Sequence, residues 1–380
     1  MELQQLFDNS MVFDWIMLGL FFAAFLIQLG YYLLVFLKLP LYKPAKKRKS
    51  AKSVSVIICA KNEEENLERF LPRVLEQDYP EFEVVVVNDC STDGTEQLLS
   101  EMSVRYKHLR YTSITSNEKF LHGKKLAVTI GLKSALYDHV LLTDADCYPA
   151  SDLWLQKMTS NLTREKKIVL GYGGYERKKG LLNLLIRYET VFTAIQYLSY
   201  AICGRPYMGV GRNLAYEKAL FFNNKGFASH YHLSSGDDDL FVNEIAVKEN
   251  TAVEISKESH TLSIPKTSFR NWIKQKKRHL SAGVHYKWGS RIRIAGELIS
   301  RMVIYTTLVL VSALSIWRWP VVLLFGVFFI TKLIIFKMGM RRLDEKYLLL
   351  PSLLLDPIMP LLLGIIWISS KFESKYQPWS

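Results

Sequence analysis

Cysteine is scarce in this chain, and what there is of it is scattered. Cys59, Cys90, Cys147 and Cys203 are the only 4 cysteines among 380 residues. They form neither a CxxC pair nor a Cys/His ligand spacing, which argues against a zinc site and reads instead as reduced, buried thiols of a cytosolic domain. No GxGxxG follows the first strand-like run, so a dinucleotide oxidoreductase is disfavoured. No DNA- or RNA-binding motif accompanies the basic charge, and nucleic acid is not an expected partner. Internal repeats and low-complexity tracts are missing as well. His108, His122, His139, His230, His232, His260 and His285 follow no metal-ligand pattern and receive no role. The N-terminal apolar stretch lacks the features of a cleaved leader: it is long, begins near Glu2 and Asp8 rather than a basic region, and is followed by Lys38-Leu39-Pro40 and no small-residue cleavage site.

What the chain does have is apolar material at its two ends. The composition is 49% hydrophobic. Residues 11–37 are nearly all apolar, interrupted mainly by Asp14 and Gln28, and are long enough to cross a hydrocarbon core of roughly 30 Å as an uncleaved anchor. Three weaker candidates lie at about 302–317, 319–336 and 348–369, carrying Lys332, Asp356, Pro351, Pro357 and Pro360. Such residues are tolerated where they face protein or a cavity, and re-entrant packing is the alternative.

Lysine and arginine outnumber acids 49 to 36, for a net charge of +13. The excess collects beside the apolar spans: Lys43, Lys46, Lys47, Arg48, Lys49 and Lys52 after the first, then Arg270, Lys274, Lys276, Lys277, Arg278, Lys287, Arg291 and Arg293 before the second. Basic clusters in these places predict cytoplasmic flanks and contact with anionic lipid headgroups. One N-terminal crossing and three C-terminal ones put these clusters and Lys337–Arg342 on one side, with Met1 and Ser380 on the other. The middle of the chain is then cytoplasmic.

That middle alternates strand and helix patterns. Val54–Cys59, Phe82–Val87 and Val140–Thr143 are continuous apolar, β-rich runs. Helices are expected over 66–77 and from about Thr95. Such runs separated by helices predict an α/β fold, a mostly parallel sheet covered on both faces. Ligands bind beyond the carboxyl ends of such strands, and polar residues stand there repeatedly: Asn62 and Glu63, Asp89, then Asp144. Asp144-Ala145-Asp146 places two carboxylates at the end of a buried strand, where they can hold Mg²⁺ or Mn²⁺ with a diphosphate. A solvated turn accounts for the same triplet equally simply.

The neighbouring segments add a family resemblance. Ser53–Glu64, Val87–Thr95, Gly123-Lys124-Lys125-Leu126-Ala127, Thr143–Asp146, Gly209–Tyr216, Ser235–Leu240 and Gln275-Lys276-Lys277-Arg278-His279 occur in the order of the motifs of glycosyltransferase family 2, and the chain resembles its membrane-embedded, processive-like branch. The resemblance implies that the sheet binds a nucleotide sugar, with N- and C-terminal transmembrane helices around it. It implies that Ala60, Asn62, Glu63, Asp89, Lys124, Asp144, Gln275 and Arg278 contact the donor. By the same match Asp146 and Asp144 hold the metal, and Gly211, Asn213 and His279 line the acceptor. One carboxylate of Asp237–Asp239 would be the base that inverting transfer requires; Asp238 is preferred, with Asp237 as the other register. The leaving diphosphate would be offset by the metal and by Lys124 or Arg278. Two positions depart from the pattern: His279 replaces the tryptophan of QxxRW, and Cys90 replaces a glycine.

These readings divide the chain into an anchor at 11–37, a cytoplasmic transferase domain at 53–268, an interfacial amphipathic segment at 269–297 and a C-terminal membrane region at 302–369. The expected activity is metal-dependent hexosyl or N-acetylhexosaminyl transfer from a nucleotide-sugar donor, a UDP-sugar, to a cell-envelope polysaccharide, by an integral protein of the cell or inner membrane. A membrane-lipid acceptor of ceramide type competes with it, as does a non-catalytic nucleotide-sugar-binding protein. Four spans make a narrow channel at best, so an export partner or a homo-oligomer is a further expectation.

Overall fold

The β-branched runs become strands buried on both faces. The computed structural model describes residues 2–44, 52–115, 123–233 and 235–371. The expectations placed on Lys46, Lys47, Arg48, Lys49, His122, Met1 and Ser380 lie outside these residues. From the N terminus, α1 (Glu2–Gly30) continues through a π-helical stretch, Tyr31–Phe36, into the short α2 (Lys38–Leu41). Then follow β1 (Val54–Ala60), α3 (Glu64–Leu75), β2 (Phe82–Asp89), α4 (Thr95–Arg105), β3 (Leu109–Ile114), α5 (Lys124–Ser134) and β4 (His139–Asp144). The second half of the domain holds β5 (Cys147–Pro149), α6 (Trp154–Thr159), β6 (Ile168–Leu170), β7 (Gly173–Tyr175), α7 (Leu181–Ile202), β8 (Leu214–Glu217), α8 (Lys218–Asn223), α9 (Asp239–Ile245), β9 (Thr251–Val253) and β10 (Thr261–Ser263). Four long helices close the chain: α10 (Phe269–Gly283), α11 (Trp288–Leu314), α12 (Arg318–Arg342) and α13 (Leu349–Ser370).

The main sheet runs β3-β2-β1-β4-β8-β6-β9. It is parallel except at β8, which is antiparallel to both β4 and β6. Alternate residues of its strands feed two cores. Val56, Val84 and Leu141 pack with Leu67 and Leu71 of α3, and Ile57, Val87 and Leu142 pack with Val128 and Leu132 of α5. This is the doubly covered α/β sheet that the apolar runs predict. In register, Cys59 of β1 stands opposite Val87 of β2 and Asp144 of β4, so these strands end level and release their polar residues along one edge. A second, three-stranded sheet, β5-β10-β7, is not signalled in the sequence and walls that edge beyond Asp146.

Four helices are long and apolar enough to cross a membrane: Met11–Leu41, Trp288–Leu314, Arg318–Arg342 and Leu349–Ser370. α1 packs against α11 and α12, and Trp15 meets Trp317 at 6.2 Å between ring centroids, so the start of α1 lies with the α11–α12 turn. The other ends of α1, α11 and α12 and the start of α13 face the α/β domain. One expectation changes here. The basic stretch after 269 is two helices divided at 284–287, and the second of them is α11, a candidate span that begins at Trp288 rather than near Met302.

The polar residues of the spans explain that shift, because they pair inside the bundle instead of facing solvent. Asp356 of α13 binds Lys332 of α12 and lies 3.4 Å from Arg301 of α11. It also accepts hydrogen bonds from Tyr305 (2.6 Å) and from Tyr188 of α7 (2.8 Å). Arg301 Nε lies 3.3 Å from Glu297, and Gln28 donates to the Glu297 carbonyl at 2.8 Å. The loop between α12 and α13 is fastened to the catalytic domain. Glu345 pairs with Arg187 and accepts from Tyr172 at 3.0 Å, Asp344 pairs with Lys257 at 2.9 Å, and Arg177 lies 3.8 Å over the Tyr347 ring.

Candidate functional site

The level ends of β1, β2 and β4 build the site. The chain leaves β1 and β2 through left-handed residues, Asn62 and Cys90, each at φ 54°. A glycine is the residue that such a φ favours, which gives the physical reason for the family's glycine at the position of Cys90; here the thiol donates to the Ile114 carbonyl at 3.1 Å. The two turns clasp each other. Asn62 N–H donates to Ser91 Oγ (2.9 Å), Asn62 Oδ1 accepts from Thr92 N–H (2.8 Å) and Glu63 N–H donates to Thr95 Oγ1 (3.1 Å). Ala60, Asn62, Glu63 and the buried Asp89 are thereby brought together. Burial pushes the Glu63 carboxyl up to about 7, against a hydrogen bond from Asn66.

Lys124, the first residue of α5, bridges the two acidic groups of the cleft. Its Nζ lies 2.9 Å from Asp144 Oδ1 and 3.2 Å from Asp237 Oδ2. Burial opposes its charge, but Asp144 and then Asp237 hold the ammonium well above its ordinary value.

The three carboxylates of the acidic triplet sit in three different environments. Gly236 precedes them at φ 97°, a conformation that a side chain would strain. Burial alone would raise Asp237, yet Lys124 holds it below the usual carboxylate range. Asp238, the residue preceding α9, is pushed up to about 6 by burial and by Asp237; it accepts from Gly211 N–H at 2.6 Å and from Asp239 N–H at 2.7 Å. Asp239 is pushed up to about 7 by burial and by Asp238, and Tyr286, in the turn before α11, donates to it at 2.7 Å. Asp239 thus ties α9 to the membrane-entry turn.

Asp144 and Asp146 fit a hard divalent ion. Their carboxylates and the Cys147 thiol offer ligand atoms within 4.8 Å of one another. Burial and then Asp144 raise the Asp146 carboxyl, the situation a cation relieves. Cys147 is the wrong donor for Mg²⁺ or Mn²⁺. Burial and Asp146 keep its thiol protonated, and its Sγ lies 2.8 Å from Ser263 Oγ. The ion would therefore be held by the two aspartates together with oxygens of its ligand.

Helix α10 closes the other side. Its N-cap Ser268 accepts from Asn271 N–H at 3.3 Å, Trp272 is buried, and Lys276 pairs with Glu189 of α7. Gln275 and Arg278 are half-buried, and Arg278 contributes to holding Asp237 low. His279 has exposed surface, yet the protein packed around its ring and the charges of Lys276 and Arg278 keep its imidazole neutral.

Gly211 enters the cleft, between Asp238 and Lys124, but Asn213 does not. Asn213 is 0% exposed; its Oδ1 accepts from Trp154 Nε1 (3.0 Å), and its Nδ2 donates to the Tyr172 and Ser259 carbonyls, both at 2.8 Å. It ties the two sheets together and, unlike Gly211, stands outside the cleft. Asn213→Ala should destabilise the domain by about 1–3 kcal/mol for each buried partner left unmade, read as a lower unfolding midpoint in detergent. Unchanged stability with a raised acceptor KM would return Asn213 to the cleft.

Two cations went unremarked in the sequence. Lys266 acts on both Glu63 and Asp146, and Arg212 lies beside the aspartate pair. Lys266 stands outside every recognised motif, whereas Arg212 lies inside the Gly209–Tyr216 segment, between the Gly211 and Asn213 that were singled out.

Residues 55–219 match the family described as Glycosyl transferase family 2. Among curated proteins, the chain is similar to an uncharacterized glycosyltransferase of Haemophilus influenzae, 29% identical over 170 residues, covering 45% of this chain and 48% of the relative. It is similar also to the poly-β-1,6-N-acetyl-D-glucosamine synthase of Staphylococcus epidermidis, 31% identical over 93 residues, covering 24% of this chain and 21% of that one. The matches thus span less than half the length of these relatives. Among solved structures, the mannosyltransferase PcManGT from Pyrobaculum calidifontis, in complex with GDP-Man and Mn²⁺, shares the fold with a TM-score of 0.58 at 19% identity, over 90% of this chain and 98% of that one.

Proposed function

We propose, from the match of residues 55–219 to Glycosyl transferase family 2, that the chain moves a sugar, with inversion, from a UDP-sugar to a growing cell-envelope polysaccharide. The observation that carries this reading is the single cleft in which Lys124 joins Asp144 of the aspartate pair to Asp237 of the acidic triplet, at 2.9 and 3.2 Å. One wall offers a site for a metal and a diphosphate, and the other offers a carboxylate base.

In this mechanism the Ala60–Glu63 turn and Asp89 hold the nucleotide. Asp144 and Asp146 would hold Mg²⁺ or Mn²⁺, which when bound would supply positive charge to the leaving diphosphate. Asp238 accepts the proton of the acceptor hydroxyl as that oxygen attacks the anomeric carbon. Gly211 N–H fixes the carboxylate for that task, and Lys124 and Arg278 add positive charge on the same side. The four long apolar helices support a domain seated on a membrane, and the basic flanks favour its cytoplasmic face.

A second reading, a membrane-lipid acceptor, is favoured by α10. It joins the cleft directly to the membrane-entry turn and packs on α13.

The test is release of nucleoside diphosphate by the purified chain from a panel of UDP- and GDP-sugars, with Mg²⁺ or Mn²⁺ and membrane extract, the product being weighed by mass spectrometry. Chelation should abolish release, and Asp146→Asn should raise the metal concentration needed about tenfold or more. Release that survives chelation, with Asp146→Asn indistinguishable from wild type, would remove the metal from the mechanism.

A further inference from the structure

Arg212 is held with more care than a surface arginine needs. Its carbonyl accepts from Thr143 Oγ1 at 3.2 Å and from Thr261 Oγ1 at 3.0 Å, which pins the backbone between β4 and β10. Its side chain crosses Gly173, where an added Cβ would stand 2.6 Å from Arg212 Cγ and Nε. The guanidinium then lies 4.5 Å over the Tyr175 ring.

The small sheet fixes where this is. Ser263 of β10 is in register with Cys147 on one side and with Tyr175 on the other. Tyr175 therefore stands level with the residue that follows Asp146, and the guanidinium sits at the height of the aspartate pair. Among the described residues Arg212 makes no ion pair with a carboxylate; Tyr175 is its side-chain hydrogen-bond partner, and its Nε is buried without one. Lys124, by contrast, is committed to two carboxylates. A cation held beside the aspartate pair but not neutralised by it suits an oxyanion bound on that pair, since a planar guanidinium matches phosphate geometry.

Building on the nucleotide-sugar reading, we propose that Arg212 binds the diphosphate of the donor from the side of the small sheet, opposite Lys124. Gly173 serves as the gap that lets it reach.

The experiment is calorimetric titration of the full chain in detergent with UDP and GDP in the presence of Mn²⁺, alongside uridine and guanosine as probes without phosphate. Arg212→Gln keeps the backbone contacts and should weaken diphosphate binding about tenfold or more while leaving nucleoside binding and the unfolding midpoint unchanged. Arg212→Lys should recover part of the loss. Gly173→Ala keeps the charge but displaces the side chain, and should reproduce much of the loss. Diphosphate binding unchanged in Arg212→Gln would overturn the proposal, including the case where only the acceptor KM rises, which would assign the guanidinium to an acceptor phosphate. Equal losses for nucleoside and diphosphate would reduce Arg212 to a structural role and overturn it too. Wild-type protein with no affinity for either diphosphate would bring down the nucleotide-sugar reading itself, and this assignment with it.

Discussion

Asp238→Asn should leave donor binding intact and lower turnover by about 10²–10⁴-fold, the range a positioned general base contributes. The amide keeps one oxygen to accept from Gly211 N–H and gives up the hydrogen bond from Asp239 N–H. The unfolding midpoint is therefore measured alongside turnover, to separate loss of the base from loss of that contact. The pH profile follows from the same residue. With its carboxyl at about 6, wild-type turnover should be flat above pH 7 and fall as pH drops through 6, because the protonated form cannot take the hydroxyl proton. The acid limb belongs to Asp237–Asp239 as an interacting set, but Asp237 is held ionised by Lys124 well below that range. In Asp238→Asn the limb near 6 should vanish. Steady-state kinetics across pH 5–8 would decide the matter. Wild-type turnover with the limb unmoved would transfer the role of base to Asp237.

Asp356→Ala should be the most damaging single change in the membrane region. Lys332, Arg301, Tyr305 and Tyr188 all converge on this one carboxylate. Removing it leaves two cations facing each other inside the bundle, and breaking a buried pair from one side costs about 3–5 kcal/mol. The expected readout is a sharply lowered unfolding temperature in detergent, or loss of folded protein from the membrane. Replacing Asp356 by Leu and Lys332 by Met together should cost far less, since the remaining Arg301–Glu297 pair is neutral as a unit. A single mutant that melts with the wild type would show that the cluster contributes nothing to the bundle.

Much of the architecture could be read from residue types alone. β1, β2 and β4 were legible because a strand covered on both faces needs an unbroken apolar run, and Val54–Cys59, Phe82–Val87 and Val140–Thr143 are such runs. Asp144 and Asp146 were legible because they interrupt apolar sequence abruptly. The small sheet was not: strands of 3 residues, such as Cys147–Pro149, are too short to show a period. The start of α11 was hidden by Arg291, Arg293, Glu297 and Arg301, whose charges lower the hydropathy although Glu297 and Arg301 are buried in the structure. The different surroundings of Asn213 and Arg212 were hidden for a related reason. Adjacent in sequence, one points into the protein and the other towards the cleft, and only the packing of β5, β7 and β10 decides which.

The fastened loop between α12 and α13 also sets a distance. With Asp344, Glu345 and Tyr347 clamped to the catalytic domain and Tyr286 and α10 bracing its other side, the domain cannot swing away from the bundle on a flexible tether. The cleft is a tool mounted at fixed height on its bench, and the workpiece must be brought to it. On the proposed reading, an acceptor whose reactive hydroxyl lies nearer the bilayer than the cleft, or farther out, would be refused by reach alone. Selection would then begin with how far the acceptor extends, and the spans would do the measuring.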